Sequence, residues 1–202
     1  WGVLFSHPRD YTPVCTTELG RAAKLSDEFK KRNVKMIALS IDSVEDHVGW
    51  SKVRPSEGIW LLQHRLFLRS LMRPRKNISW SSQQLIPDIM AYNNEEPGCK
   101  FPFPIIADDK RELAVTLGML DPDERDKDGM PLTARCVFVI GPDKKMKLSI
   151  LYPATTGRNF DELLRVIDSL QLTAKKRVAT PVNWKVSSAS PKVLSGHKNA
   201  ST

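Results

Sequence analysis

The stretch Pro8-Arg9-Asp10-Tyr11-Thr12-Pro13-Val14-Cys15 joins two segments of different character. Before it lies the apolar run Trp1-Gly2-Val3-Leu4-Phe5, which reads as a buried strand. After it, Leu19, Ala22, Leu25 and Phe29 fall on one side of a helical pattern that predicts a helix ending near Asn33. Thr12 is a good N-cap type and Pro13 suits the first helical position, so Cys15 falls at the third. Free N–H groups and the positive end of the helix dipole favour an anion there, and the thiolate is the nucleophilic form of cysteine. The bland alternative is that a lone cysteine is a small buried hydrophobe.

Outward from this junction the chain alternates strand and helix. Residues 34–41 are apolar enough for a strand buried on both faces, and Asp42 and Ser43 offer a cap for a short helix over 44–52. Residues 103–108 read as a strand, 111–120 as a helix and 121–131 as a charged surface loop. A strand over 134–140, a turn at Gly141-Pro142-Asp143-Lys144 and alternation at Met146, Leu148, Ile150 and Tyr152 make a hairpin. Phe160, Leu163, Leu164, Ile167 and Leu170 line one face of a final helix. This order is α/β.

Two segments break the pattern. Residues 53–87 read as a disordered insert between a first domain part, 1–52, and a second, 88–185. Within the insert Arg65, Arg69 and Arg73 lie at helical spacing beside Leu62, Leu66 and Phe67, so a basic helix on a membrane surface is the competing reading. Residues 186–202 are Ser-rich and without periodicity, and are expected to be disordered. Both departures begin with Lys-Val, at 52–53 and 185–186, as translated intron would. The net charge of +8 sits mostly in these segments. Residues 53–87 carry six Lys/Arg against Glu57, and Lys192 and Lys198 add two more, which leaves +1 elsewhere. Nucleic-acid binding is therefore not expected, nor is membrane contact beyond the periphery. Three cysteines, Cys15, Cys99 and Cys136, and no signal-peptide pattern predict a reducing, cytoplasmic setting.

Pro8, Thr12 and Cys15 form the pattern P-x-x-x-T-x-x-C within SHPRDYTPVCTTELGRAAKL, residues 6–25. The string resembles the active-site motif of the peroxiredoxins, one-cysteine branch, and the likeness extends from Trp1 to about Lys185 apart from the insert. The resemblance implies a thioredoxin-like fold whose first strands would precede Trp1. It implies a thiol-dependent peroxidase acting on hydrogen peroxide and on organic or phospholipid hydroperoxides, in cell redox homeostasis. Cys15 would be the peroxidatic cysteine, passing through a sulfenic acid. Thr12 could cap the helix or donate to peroxide, and the first-turn N–H groups of Val14 and Cys15 could hold the attacked oxygens. Pro8 would shape and shield the pocket, and His7 would stand beside it or serve as a structural hydrogen-bonding residue. Arg135 interrupts an apolar strand. On its own it could be an edge-strand surface residue, and the resemblance implies that it pairs with the thiolate.

No bound cofactor or metal is expected. Neither Cys99 nor Cys136 matches a resolving position, so an external thiol is expected, with glutathione and a glutathione transferase implied as partners and a homodimer as the assembly. A lysosomal location is implied beside the cytoplasmic one. The branch also carries a phospholipase A2 triad, of which only the aspartate of the Gly-Pro-Asp turn, Asp143, has a counterpart here, so that activity is not expected of this chain. The competing reading of the whole is a catalytically impaired or non-enzymatic variant of the same family.

Overall fold

The computed structural model describes residues 1–51, 89–93, 100–186 and 194–195. The insert and Cys99 lie outside them, and with them the expectations of disorder, of a membrane-surface helix and of a non-resolving Cys99.

Five strands form the central sheet: β1 (Gly2–Ser6), β2 (Lys35–Ser40), β3 (Ile105–Ala107), β6 (Arg135–Ile140) and β7 (Met146–Tyr152). Their order is β3-β2-β1-β6-β7, with β1 parallel to β2, β2 parallel to β3, and β6 antiparallel to both β1 and β7. Six helices are described: α1 (Pro13–Lys24), α2 (Ser26–Lys31), α3 (Val44–Ser51), α4 (Ile89–Tyr92), α5 (Glu112–Thr116) and α6 (Phe160–Lys176). Among the described residues no helix is long and apolar enough to cross a membrane.

Strand parity sorts side chains into two cores. Val3, Phe5, Val137 and Val139 pack on one face with Leu19, Phe29, Trp50, Phe160 and Ile167. Leu4, Leu39, Cys136 and Phe138 pack on the other with Ala114 and Met119. Phe5 centres the first core, edge-on to Phe103 at 5.5 Å and to Phe160 at 5.7 Å. Because alternate residues of a strand face opposite sides, Arg135 shares the face of Val137 and Val139 while Cys136 is turned to the other.

Several local expectations need correction. The helix after Cys15 is not continuous to Asn33 but breaks at Leu25 between α1 and α2. The Leu25 N–H still bonds to the Arg21 carbonyl and the Phe29 N–H to the Leu25 carbonyl, each at 3.1 Å, so the break is a kink in a nearly continuous ladder. The helix expected over 111–120 is only α5. Gly118, at φ +64°, ends it, with N–H bonds from Gly118 to the Val115 carbonyl and from Met119 to the Ala114 carbonyl. The expected charged loop after it contains two strands, β4 (Leu120–Arg125) and β5 (Pro131–Thr133), paired to each other. The tail is not wholly without structure, since β9 (Leu194–Ser195) pairs antiparallel with β8 (Val178–Ala179). The caps of α3 and α6 follow from sequence. Ser43 Oγ accepts from the Asp46 N–H while its own N–H reaches Asp46 Oδ2, and Asn159 Oδ1 accepts from Asp161 and Glu162.

Candidate active site

The Pro8–Thr12 segment leaves the end of β1 and delivers the chain to α1. Thr12 is extended at φ −106° and ψ 147°, Pro13 opens the helix, and Cys15 lies in its first turn. N–H groups in that turn have no acceptor one turn earlier, so those of Val14 and Cys15 face outward as donors. The Thr12 hydroxyl does not cap them. It donates to the Arg9 carbonyl at 3.0 Å, and the expected side-chain cap is absent because this local turn takes the hydroxyl first.

Cys15 is fully buried. Arg135 meets it from β6, with Nη1 donating to Sγ at 3.3 Å. Arg135 is not an edge-strand surface residue: β6 lies between β1 and β7, and the side chain is buried. Its guanidinium is held from two further sides, Nε donating to the Ala154 carbonyl at 2.8 Å and Nη1 to Glu18 Oε2 at 2.6 Å. Glu18 also takes three donors from Arg158: its N–H at 2.6 Å, Nε at 2.9 Å and Nη2 at 2.8 Å. Burial works to raise the Glu18 carboxyl, but hydrogen bonds and charge from Arg158, with the charge of Arg135, outweigh it and hold Glu18 below its ordinary value. Arg158 in turn spans the rings of Phe5 and Phe160 at 5.5 and 5.7 Å. The segment before it closes over the first turn, since a Cβ at Gly157 would lie 3.5 Å from Val14 Cγ1.

Pro8 and His7 are buried beside this turn. His7 Nε2 meets Asp10 Oδ1 at 2.6 Å, and His47 Nδ1 meets Asp10 Oδ2 at 2.5 Å. Asp42 Oδ2 accepts from the Asp10 N–H at 2.8 Å and from Ser40 Oγ. Burial pushes Asp10 up, but hydrogen bonds and charge from both histidines win and leave it lowered. Burial pulls His47 down and Asp10 overrides it, so His47 is raised. Asp42 is raised, first by burial and then by the charge of Asp10. His7, Asp10 and Asp42 place donor atoms within 4.8 Å of one another, as a metal would require, yet each carboxylate already accepts the hydrogen bonds just described.

Thus Cys15 and Arg135 are brought together with Val14 at the same turn, while Pro8 and His7 stand behind it. Glu18 was legible in principle, because residues three apart share a helix face and Glu18 follows Cys15 by three. Arg158, Asp10 and His47 gave no sequence signal of their own. Residues 1–149 match the AhpC/TSA family. The chain belongs to that family. It is 66% identical to peroxiredoxin-6 of Gallus gallus and 64% identical to that of Homo sapiens, each over 185 residues covering 92% of this chain and 67% of the relative. A solved cysteine-to-serine mutant of peroxiredoxin 6 of Arenicola marina superposes with a TM-score of 0.71 at 55% identity, over 92% of this chain and 67% of that one. As an AhpC/TSA member with these relatives the chain is a thioredoxin-like, thiol-dependent peroxidase. The non-enzymatic reading is not favoured.

Proposed function

We propose that Cys15 is the peroxidatic nucleophile and that Arg135 is the cation facing its charge. The single observation that carries this reading is the 3.3 Å contact of Arg135 Nη1 with Sγ at the first turn of α1. The thiolate attacks one peroxide oxygen, an S–O bond forms and the O–O bond breaks. The departing oxygen takes a proton and leaves as water or an alcohol, and the sulfur becomes a sulfenic acid. Arg135 and the Val14 and Cys15 N–H groups hold the two oxygens as charge moves between them, with the Thr12 hydroxyl as a further donor once it turns from Arg9. Cys15 is covered, so peroxide reaches the sulfur when the side chains over the first turn part. His7 and Pro8 line the back of this pocket.

The substrates are hydrogen peroxide and organic or phospholipid hydroperoxides. The reductant is an external thiol: Cys136, the other cysteine among the described residues, faces the opposite side of the sheet, and Cys99 matches no resolving position of the family. Glutathione, delivered by a glutathione transferase, fits best. One glutathione displaces water from the sulfenic acid to form a mixed disulfide, and a second releases the thiolate and oxidised glutathione. A structure of yeast mitochondrial 1-Cys peroxiredoxin, 42% identical with a TM-score of 0.67, concerns thiol resolution through glutathione and thioredoxin systems in that protein. The setting is cytoplasmic, with a lysosomal pool. A homodimer through β7 is favoured by its edge position and its exposed Met146 and Leu151. No phospholipase role is proposed for Asp143, whose carboxylate accepts from Lys147 Nζ and the Lys145 N–H.

Steady-state peroxide consumption with glutathione and a glutathione transferase, compared with thioredoxin, tests the reading. Turnover with the first system and none in Cys15→Ser is expected. Equal turnover in Cys15→Ser refutes the nucleophile, and turnover with thioredoxin alone refutes the reductant.

A further inference from the structure

The segment that leads into α1 holds one buried carboxylate, Asp10, that the chemistry above does not use. The Asp10 side chain is almost wholly buried, at 1% exposure, and both its oxygens are taken by histidines from different elements. His7 follows directly on β1, and His47 lies on α3. The Asp10 backbone is held separately, by Asp42 just after β2. We propose that Asp10 is a positioning residue for the peroxidase reaction: by bridging His7 and His47 it fixes the Pro8–Thr12 segment, and through it the first turn of α1 that presents Cys15.

Three observations support this. Tyr11, next to Asp10, sits at φ +54°, a conformation that a residue with a side chain adopts only when its surroundings hold it there. The surroundings do so on the α3 side: Tyr11 Oη donates to the Asp46 carbonyl at 3.3 Å, and its ring lies 6.1 Å from that of Trp50. Trp50 in turn packs on His7 at 5.3 Å and donates to Thr16 Oγ1 at 3.3 Å, so α3 touches the segment and the helix it leads into. Finally, the segment is short. Two residues separate Asp10 from Pro13, the first residue of α1, and a shift of Asp10 has little chain in which to be absorbed.

The bridge contains titratable groups, so it also gives the rate a pH dependence. His47 is faced by Asp10, by Asp42, by the ring of His7 6.2 Å away and by the Ile106 carbonyl of the segment at β3. Arg9 Nε stands 3.9 Å from Asp42 on the outer side. With His47 protonated the contact with Asp10 is an ion pair. Once His47 is neutral, a single hydrogen bond remains and the segment is held less firmly.

This inference rests on the peroxidase reading, and the experiment separates the two. The rate of Cys15 oxidation by hydrogen peroxide is followed by stopped flow from about pH 5.5 to 9, with thermal unfolding and iodoacetamide labelling of Cys15 on the same samples. In Asp10→Asn the oxidation rate falls about tenfold or more, while labelling, which needs an accessible thiolate but no peroxide held in line, is kept or rises. His47→Asn, which keeps a donor opposite Asp10 Oδ2, stays within about threefold of the parent and loses the alkaline limb of the pH profile, whereas His47→Leu falls about tenfold. Parental oxidation in a folded Asp10→Asn overturns the proposal. So does a pattern in which oxidation, labelling and unfolding temperature fall in step and His47→Asn is no better than His47→Leu. A parent chain with no peroxide-selective oxidation of Cys15 overturns the peroxidase reading itself, and the proposal with it.

Discussion

Two buried carboxylates lie in the elements around Cys15, Glu18 on its helix and Asp10 in the segment before it, and each is held between two basic side chains. Glu18 lies between Arg135 and Arg158, and Asp10 between His7 and His47. The geometry is alike and the chemistry is not. A guanidinium keeps its charge at every pH at which the protein folds, so the Glu18 cluster is a fixed electrostatic frame whose free N–H reaches the sulfur. Imidazole changes charge near neutrality, so the Asp10 cluster is adjustable and grips backbone rather than sulfur. The frame opposite the reacting atom changes charge only in acid, where Glu18 protonates. The group whose charge changes on the alkaline side, His47, lies in the other cluster.

The largest expected effect comes from breaking the fixed frame. Arg135→Ala removes the donor to the sulfur and one of the two partners of Glu18. The rate constant for Cys15 oxidation should fall about 100-fold or more in stopped flow. Stability should fall by about 3 kcal/mol in urea unfolding, because a buried carboxylate loses part of its compensation. Arg135→Lys should recover little of the rate, since an ammonium cannot reach the Ala154 carbonyl, Glu18 and the sulfur together. Glu18→Gln should cost less, about tenfold in rate, because Arg135 keeps its contacts with Ala154 and the sulfur but loses its strongest anchor.

The pH dependence of stability sharpens the contrast. Glu18 and Asp10 are both lowered on folding, so their contributions are present above their ordinary values of 4.5 and 3.8 and are lost as pH falls through the lower folded values. Asp42, raised on folding, acts in the opposite sense and offsets part of the Asp10 share. His47 is raised, so its contribution is full below its ordinary value of 6.5 and is lost as pH rises through its folded value. The urea midpoint should therefore decline at both ends. Glu18→Gln should blunt only the acid decline, and His47→Asn should remove the alkaline one. The smallest effect belongs to Cys136, which burial raises and which faces away from the site. Cys136→Ala should change the rate less than about twofold and cost about 1 kcal/mol of stability.

Local pattern carried much of this site. The strand before Pro8, the proline at the first helical position and the place of Cys15 in the first turn all follow from short-range chemistry. Strand parity alone separated Arg135 from Cys136. The errors came where local preference met a tertiary or geometric override. Leu120–Arg125 carries Pro122 and two aspartates, residues depleted in strands, and it pairs only because Pro131–Thr133 lies alongside. Arg111–Leu120 kept helical spacing, but Gly118 turned the chain early. Thr12 has the right chemistry for a cap, and Arg9 was nearer. The pairing of Glu18 with Arg158 was hidden for a different reason, although the place of Glu18 one turn from Cys15 could be read. Charged residues on a helix and a loop ordinarily read as solvated surface, and a separation of 140 positions gives no hint that they meet. The Asp10–His47 pair is hidden in the same way, although Asp10 lies inside the motif that marks the site.

The most direct test of the account is a single equivalent of hydrogen peroxide, followed by sulfenic-acid trapping and mass spectrometry of Cys15 and Cys136. The account predicts rapid modification of Cys15 with Cys136 untouched, because of these two cysteines only Cys15 has a helix first turn and an arginine donor at its sulfur. Slow modification shared evenly between the two cysteines would contradict it.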